Sequence, residues 1–287
     1  MKVIVAGAIM LQVLAVGVQA EPAGLLSCVR RPLWVVRIIA AMFVGVPALA
    51  VALVKLSDAP VGMKVSILLM AIAAIAPLLP RKLFKIGVDA GFADSLSVVT
   101  MVLAIPLVPI TAMVLGAQFG RDMVVPAGSV AATLAQTFLV PFAVGMGFKA
   151  VFGKRALPLG EWANTISVII IGAIVLVLVI AQRGTILAVL WQSLPLVVGF
   201  AVGSLMIGHA VGGPDPAERT ALAIATVTRH PGLCLLIATA TFPNLQVLPP
   251  ILSLIIGCTV VSIPYTAWRK RVLGARPHAA PRTASAG

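Results

Sequence analysis

The residues able to do chemistry gather at two places in an otherwise apolar chain. One is ATVTRHPGLCLLIA, residues 225–238, with Thr226, Thr228, Arg229, His230, Pro231 and Gly232. The other is IAPLLPRKLFKIG, residues 75–87, with Pro77, Pro80, Arg81 and Lys82. Arginine presents a planar fork suited to carboxylate, sulfonate or phosphate. Threonine hydroxyls add hydrogen bonds, and histidine adds a group that titrates near neutrality. Proline removes a backbone donor and clashes with the carbonyl four residues back, so each stretch is predicted to unwind. Arg229, His230, Arg81 and Lys82 are read as one positive centre. With Thr226 and Thr228 they form the candidate substrate site for a small organic anion. Pro77, Pro80, Pro231 and Gly232 are the helix breaks, and no metal site is expected.

The elements that position these residues follow from composition. The 287 residues are 61% hydrophobic and 10% charged, with a mean hydropathy of +1.13. One soluble core cannot bury that much apolar surface, so the fold class is an all-α polytopic membrane protein. Nine transmembrane helices are expected, at about 2–20, 33–55, 62–92, 95–116, 126–149, 161–182, 185–210, 217–241 and 246–268. The third and eighth carry the breaks. Irregular backbone at membrane depth is tolerated where it is buried in protein or lines a wet cavity. Two interrupted helices five spans apart, an odd offset that reverses orientation, point to an inverted-repeat transporter with two broken crossing helices. Residues 1–268 form one transmembrane domain, and 269–287 read as a basic, disordered cytoplasmic tail. Residues 1–20 are read as a retained helix, the alternative being a cleaved signal.

The net charge of +13 fits basic loops better than nucleic acid, because aromatics are sparse and not interleaved with the basic residues. Arg30, Arg31, Arg37, Arg81, Lys82, Lys85, Lys149, Lys154, Arg155, Arg219 and the group from Arg269 onward fall on one side. Lys2, Lys55, Lys64, Arg121 and Arg183 fall on the other. This places the N-terminus outside and the C-terminus in the cytoplasm. Cys28, Cys234 and Cys258 match no metal or redox spacing. No GxSxG, HExxH or P-loop occurs, so an enzyme is not expected.

The PLLPRK break, the VGGPDPAERTALAIATVTRHPG segment and the VSIPYTAWRKR end together resemble the bile acid:sodium symporter superfamily. The likeness is to a bacterial branch bearing Thr-Arg-His-Pro-Gly. The resemblance covers nearly the whole chain. It implies interleaved panel and core domains, alternating access, residence in the bacterial inner (plasma) membrane, and substrate binding near the crossing of the two broken helices. In the sodium-coupled members a glutamate, a glutamine and an asparagine at the second break ligate sodium. By alignment Ala225, Arg229 and His230 stand at those positions here. No cofactor is therefore expected, and Na+ remains possible only at a departure from the family's site. Protons through His230 are the other coupling route. The competing reading is a non-transporting membrane sensor or scaffold in which Arg229 is a structural lock paired with Asp94, Asp89 or freed carbonyls. The partners expected are the lipid bilayer and a small organic anion.

Overall fold

The computed structural model describes residues 2–20, 31–76, 78–118, 128, 132, 135–241 and 245–274. Among them the regular structure is helical throughout. In chain order the helices are α1 (Lys2–Gln19), α2 (Pro32–Lys55), α3 (Val61–Ile72), α4 (Leu79–Phe84), α5 (Ala90–Gln118) and α6 (Val140–Phe152). They continue with α7 (Leu157–Ala181), α8 (Arg183–Gln192), α9 (Leu194–Val211), α10 (Pro216–Val227), α11 (Pro231–Thr241) and α12 (Leu248–Gly274). Two π-helical turns interrupt the pattern, Ile39–Gly45 inside α2 and Ala135–Leu139 before α6. Among the described residues five helical runs are long and apolar enough to cross a membrane: Pro32–Lys55, Gly91–Leu115, Ala135–Ala181, Leu194–Val211 and Leu248–Gly274.

The local causes are legible. Asp215 caps α10 by accepting from the N–H groups of Ala217 (2.7 Å) and Glu218 (3.0 Å), and Pro216 fills the first helical position. The first half of α7 buries one face, and from Val168 onward the helix is apolar all round. It buries Gly160, Ala163, Asn164 and Ser167 but leaves Ile169, Leu176 and Val177 exposed, as a helix facing lipid does. The opposite extreme is α3, buried at every position from Val65 to Ile72, and α10, buried from Thr220 to Val227. The two interrupted helices are thus the centre of the molecule. Around them pack α9, α11 and α12, and α1 is held against α6 and α7 through glycines. A Cβ on Gly145 would strike Leu14 O and Val18 N, and one on Gly17 would strike Phe142 O.

Three boundaries differ from the sequence reading. The stretch read as the third span ends at Phe84, because the chain turns through Gly87 at φ +96° before α5 begins at Ala90. The stretch read as the seventh span is two helices, α8 and α9. Ser193 leaves helical geometry at φ −112°, ψ 15°, two residues before Pro195 in the first turn of α9. The last helix continues to Gly274 rather than stopping at 268. Arg269, expected in a solvated tail, is buried. Its Nε donates to Thr220 Oγ1 (2.7 Å) and its Nη2 to Pro216 O (2.7 Å), which fastens α12 to the first turn of α10. The rest of that tail, residues 275–287, lies outside the described residues, as do Pro77 and Arg121.

Candidate functional site

Between α3 and α4, and between α10 and α11, the chain leaves the helix and the two breaks pair with each other. His230 N–H donates to Ala74 O (2.8 Å) and Ala76 N–H to Thr228 O (3.1 Å), an isolated antiparallel bridge between Ile75 and Arg229. Main-chain groups freed by unwinding one helix are satisfied by those freed in the other, which is what a buried break requires.

Arg229 completes the crossing. It is 4% exposed. Its Nε donates to Thr226 O (3.0 Å), its Nη1 to Ala73 O (2.9 Å) and its Nη2 to Met42 O (3.3 Å). Each acceptor lacks its helical donor for a reason written in the sequence. Four residues after Ala73 stands Pro77, which has no N–H. Four residues after Thr226 stands His230, whose N–H is turned to Ala74. Met42 lies in the π-helical turn, where Val46 N–H reaches back five residues to Ala41 O. In that register the donor for Met42 O would be residue 47, a proline. The guanidinium therefore gathers three orphaned carbonyls. Two of them lie at the C-terminal ends of α3 and α10, where the helix dipole favours a cation. Among the alternatives raised for Arg229, it is the freed carbonyls that hold it.

Pro47 is what leaves the Met42 carbonyl open. Pro47→Ala is expected to return a donor to this turn and weaken the Nη2 bond. The charge-assisted bond lost, about 1.5–3 kcal/mol, is offset in part by the backbone bond gained, about 0.5–1.5 kcal/mol, so a net loss of about 1 kcal/mol is expected. Unfolding midpoints of the two proteins in the same detergent would show it.

The other site residues are dispersed. Successive residues of extended chain point to opposite sides, so His230 faces away from Arg229. Its Nδ1 accepts from Leu233 N–H (3.2 Å), capping α11, and its ring stands edge-on to Phe138 at 6.0 Å between centroids. An accepting Nδ1 puts the proton of the neutral ring on Nε2, which is buried with no hydrogen-bond partner. Thr226, read as a ligand, donates its hydroxyl to Ser204 O and Ala223 O, both 2.7 Å, and ties α10 to α9. Arg81 is exposed on α4. Pro80 and Pro231 occupy first-turn positions of α4 and α11, where a missing N–H does no harm, and a Cβ on Gly232 would lie 3.0 Å from Ile9. The single positive centre expected from sequence is thus divided: His230 and Arg81 are elsewhere, while Arg229, Thr228 and Lys82 share one cavity.

That cavity has a volume of about 60 Å³ and lies beside the crossing. Its remaining wall comes from Met70, Val227 and from Ile255, Cys258 and Thr259 of α12. Lys82 Nζ donates to Ser262 Oγ (3.0 Å), which in turn donates to Thr259 O (2.8 Å). Thr228 Oγ1 is buried and without a partner. The α12 contribution was not singled out from sequence, although Ile255, Cys258, Thr259 and Ser262 recur at helical spacing and mark one face. Comparison of the chain with protein-family models and with curated proteins finds no match.

Proposed function

We propose that the protein is a secondary active transporter of a small organic anion, built on the plan of the bile acid:sodium symporters. The observation that carries this reading is the antiparallel pairing of two interrupted helices through Ile75 and Arg229 in the buried centre. A membrane protein that unwinds two helices at its core and sets a cation-lined cavity beside them has the parts of a midplane binding site. Nine spans in inverted repeats, the N-terminus outside and the C-terminus in the cytoplasm belong to the same proposal. Its support is the clustering of basic residues: Arg31 and Arg37 both reach Glu218, at 2.9 and 3.9 Å, close to Arg219 and to the buried Arg269 end of α12.

Coupling to sodium at the second break is disfavoured by electrostatics. A guanidinium already occupies the carbonyl oxygens that would ligate an ion. Proton coupling through His230 is disfavoured as well, because a second positive charge would be placed in an apolar site one residue from Arg229. The non-transporting sensor or scaffold draws on one specific observation, that three bonds of Arg229 end on main-chain carbonyls. The test is uptake of radiolabelled monocarboxylates into proteoliposomes, with and without sodium and pH gradients. Saturable uptake that survives removal of sodium supports the proposal; no uptake under any gradient leaves the scaffold.

A further inference from the structure

The cavity at the crossing places two cations, Lys82 and Arg229, on one small space, and none of the residues lining it is acidic. Their donor capacities differ. Arg229 commits each of its three nitrogens to a carbonyl, three of its five N–H groups, so what it gives the cavity is chiefly charge. Lys82 has three N–H groups and gives one to Ser262. Thr228 adds a buried hydroxyl with no partner. Two positive charges in a partly desolvated space with no carboxylate call for a negative ligand. A point charge plus one hydroxyl can hold a small anion without the bidentate fork that arginine offers a carboxylate or phosphate. Met70, Val227 and Ile255 supply apolar wall for a short aliphatic body. One water needs about 10–15 Å³ in a comparable measure, so a cavity of about 60 Å³ admits a group of roughly four to six non-hydrogen atoms.

Building on the transport reading, we infer that this cavity is a binding site for a short-chain monocarboxylate, anchored by Lys82 and Thr228, with Arg229 acting as the fixed charge behind them. Acetate is the probe. In the purified full chain, sodium acetate is expected to raise the thermal unfolding midpoint saturably, relative to sodium gluconate of equal ionic strength. Calorimetric titration should give the same half-saturation. Lys82→Met abolishes the response and Lys82→Arg retains it. Thr228→Val, a nearly isosteric change that keeps the fold testable, weakens acetate about tenfold, the effect of one lost hydrogen bond to an ion. No saturable response to acetate in the unaltered protein overturns the assignment, and so does an affinity unchanged in both Lys82→Met and Thr228→Val. Binding that depends on Lys82 without acetate flux in proteoliposomes supports the site and removes the transport reading. Acetate flux with binding indifferent to Lys82 removes the site alone.

Discussion

Replacing Arg229 by methionine is expected to destabilise the protein by about 3–5 kcal/mol, because three buried carbonyls lose their donor. Methionine keeps most of the side-chain volume, so the loss reports hydrogen bonds rather than packing. Hydrogen bonds between membrane helices average only about 0.6 kcal/mol, because the separated helices find other partners. The acceptors here cannot do so. Ala73 O is orphaned by Pro77, Met42 O by Pro47 in the π register, and Thr226 O by the diversion of His230 N–H to Ala74. Each carbonyl left bare in a buried site costs about 1–3 kcal/mol. Removing a desolvated charge offsets part of that sum. Arg229→Lys should recover only a fraction, since an ammonium does not span three acceptors in one plane. Denaturation in mixed micelles, monitored by the four tryptophans, checks both. Arg229→Met within about 0.5 kcal/mol of the unaltered protein, inside ordinary surface-mutation scatter, would sink the account of the crossing.

The second large effect is at Gly208. A Cβ there would lie 2.5 Å from Ala223 Cα, 2.7 Å from Leu222 O and 2.7 Å from Thr226 Oγ1. Two of the three atoms are backbone, so nothing can swing aside and α9 must part from α10. Gly208→Ala is expected to cost about 2–3 kcal/mol, at the upper end of overpacking, despite the better helix propensity of alanine. The same substitution at two other glycines of α9 provides the comparison. A Cβ on Gly203 meets only the flexible end of Leu49, nearest 2.6 Å, and one on Gly199 meets Leu53 Cδ2 at 3.5 Å. Gly203→Ala should be mild and Gly199→Ala neutral or slightly stabilising. Equal midpoints for the three variants would contradict the assigned packing. Because Gly208 abuts the hydroxyl that anchors the end of α10, its replacement should also perturb acetate binding, which Gly199→Ala should leave intact.

These two residues show where sequence reasoning reaches and where it stops. Arg229 announced itself, because a charge inside an apolar run demands an explanation. Gly199, Gly203 and Gly208 are alike in the sequence, small residues on one helix. Only the neighbour across the interface separates them: a leucine side chain for two, a backbone for the third. The α12 residues beside Lys82 and the cavity were missed for the same kind of reason. Ser262, Thr259 and Cys258 are unremarked polar and small positions in an apolar helix until Lys82 is found 3.0 Å from Ser262.

The sequence marks the two breaks, since the missing N–H of Pro77 and Pro231 is a covalent property that no fold can change, but Pro106, Pro109 and Pro264 stand inside continuous helices. The apolar helical class follows likewise from composition, because that much hydrocarbon has no other solvent. What only the tertiary structure decided is which donor answers each orphaned carbonyl. Arg229 was expected to face a ligand beside His230; it faces three carbonyls, and His230 lies on the opposite side of the extended chain. That outcome depends on a proline in α2, far away in sequence, which leaves Met42 O without a donor within reach of the guanidinium. Hydrogen-bond demand is set locally, residue by residue, while its supply is a matter of what the fold brings within about 3 Å.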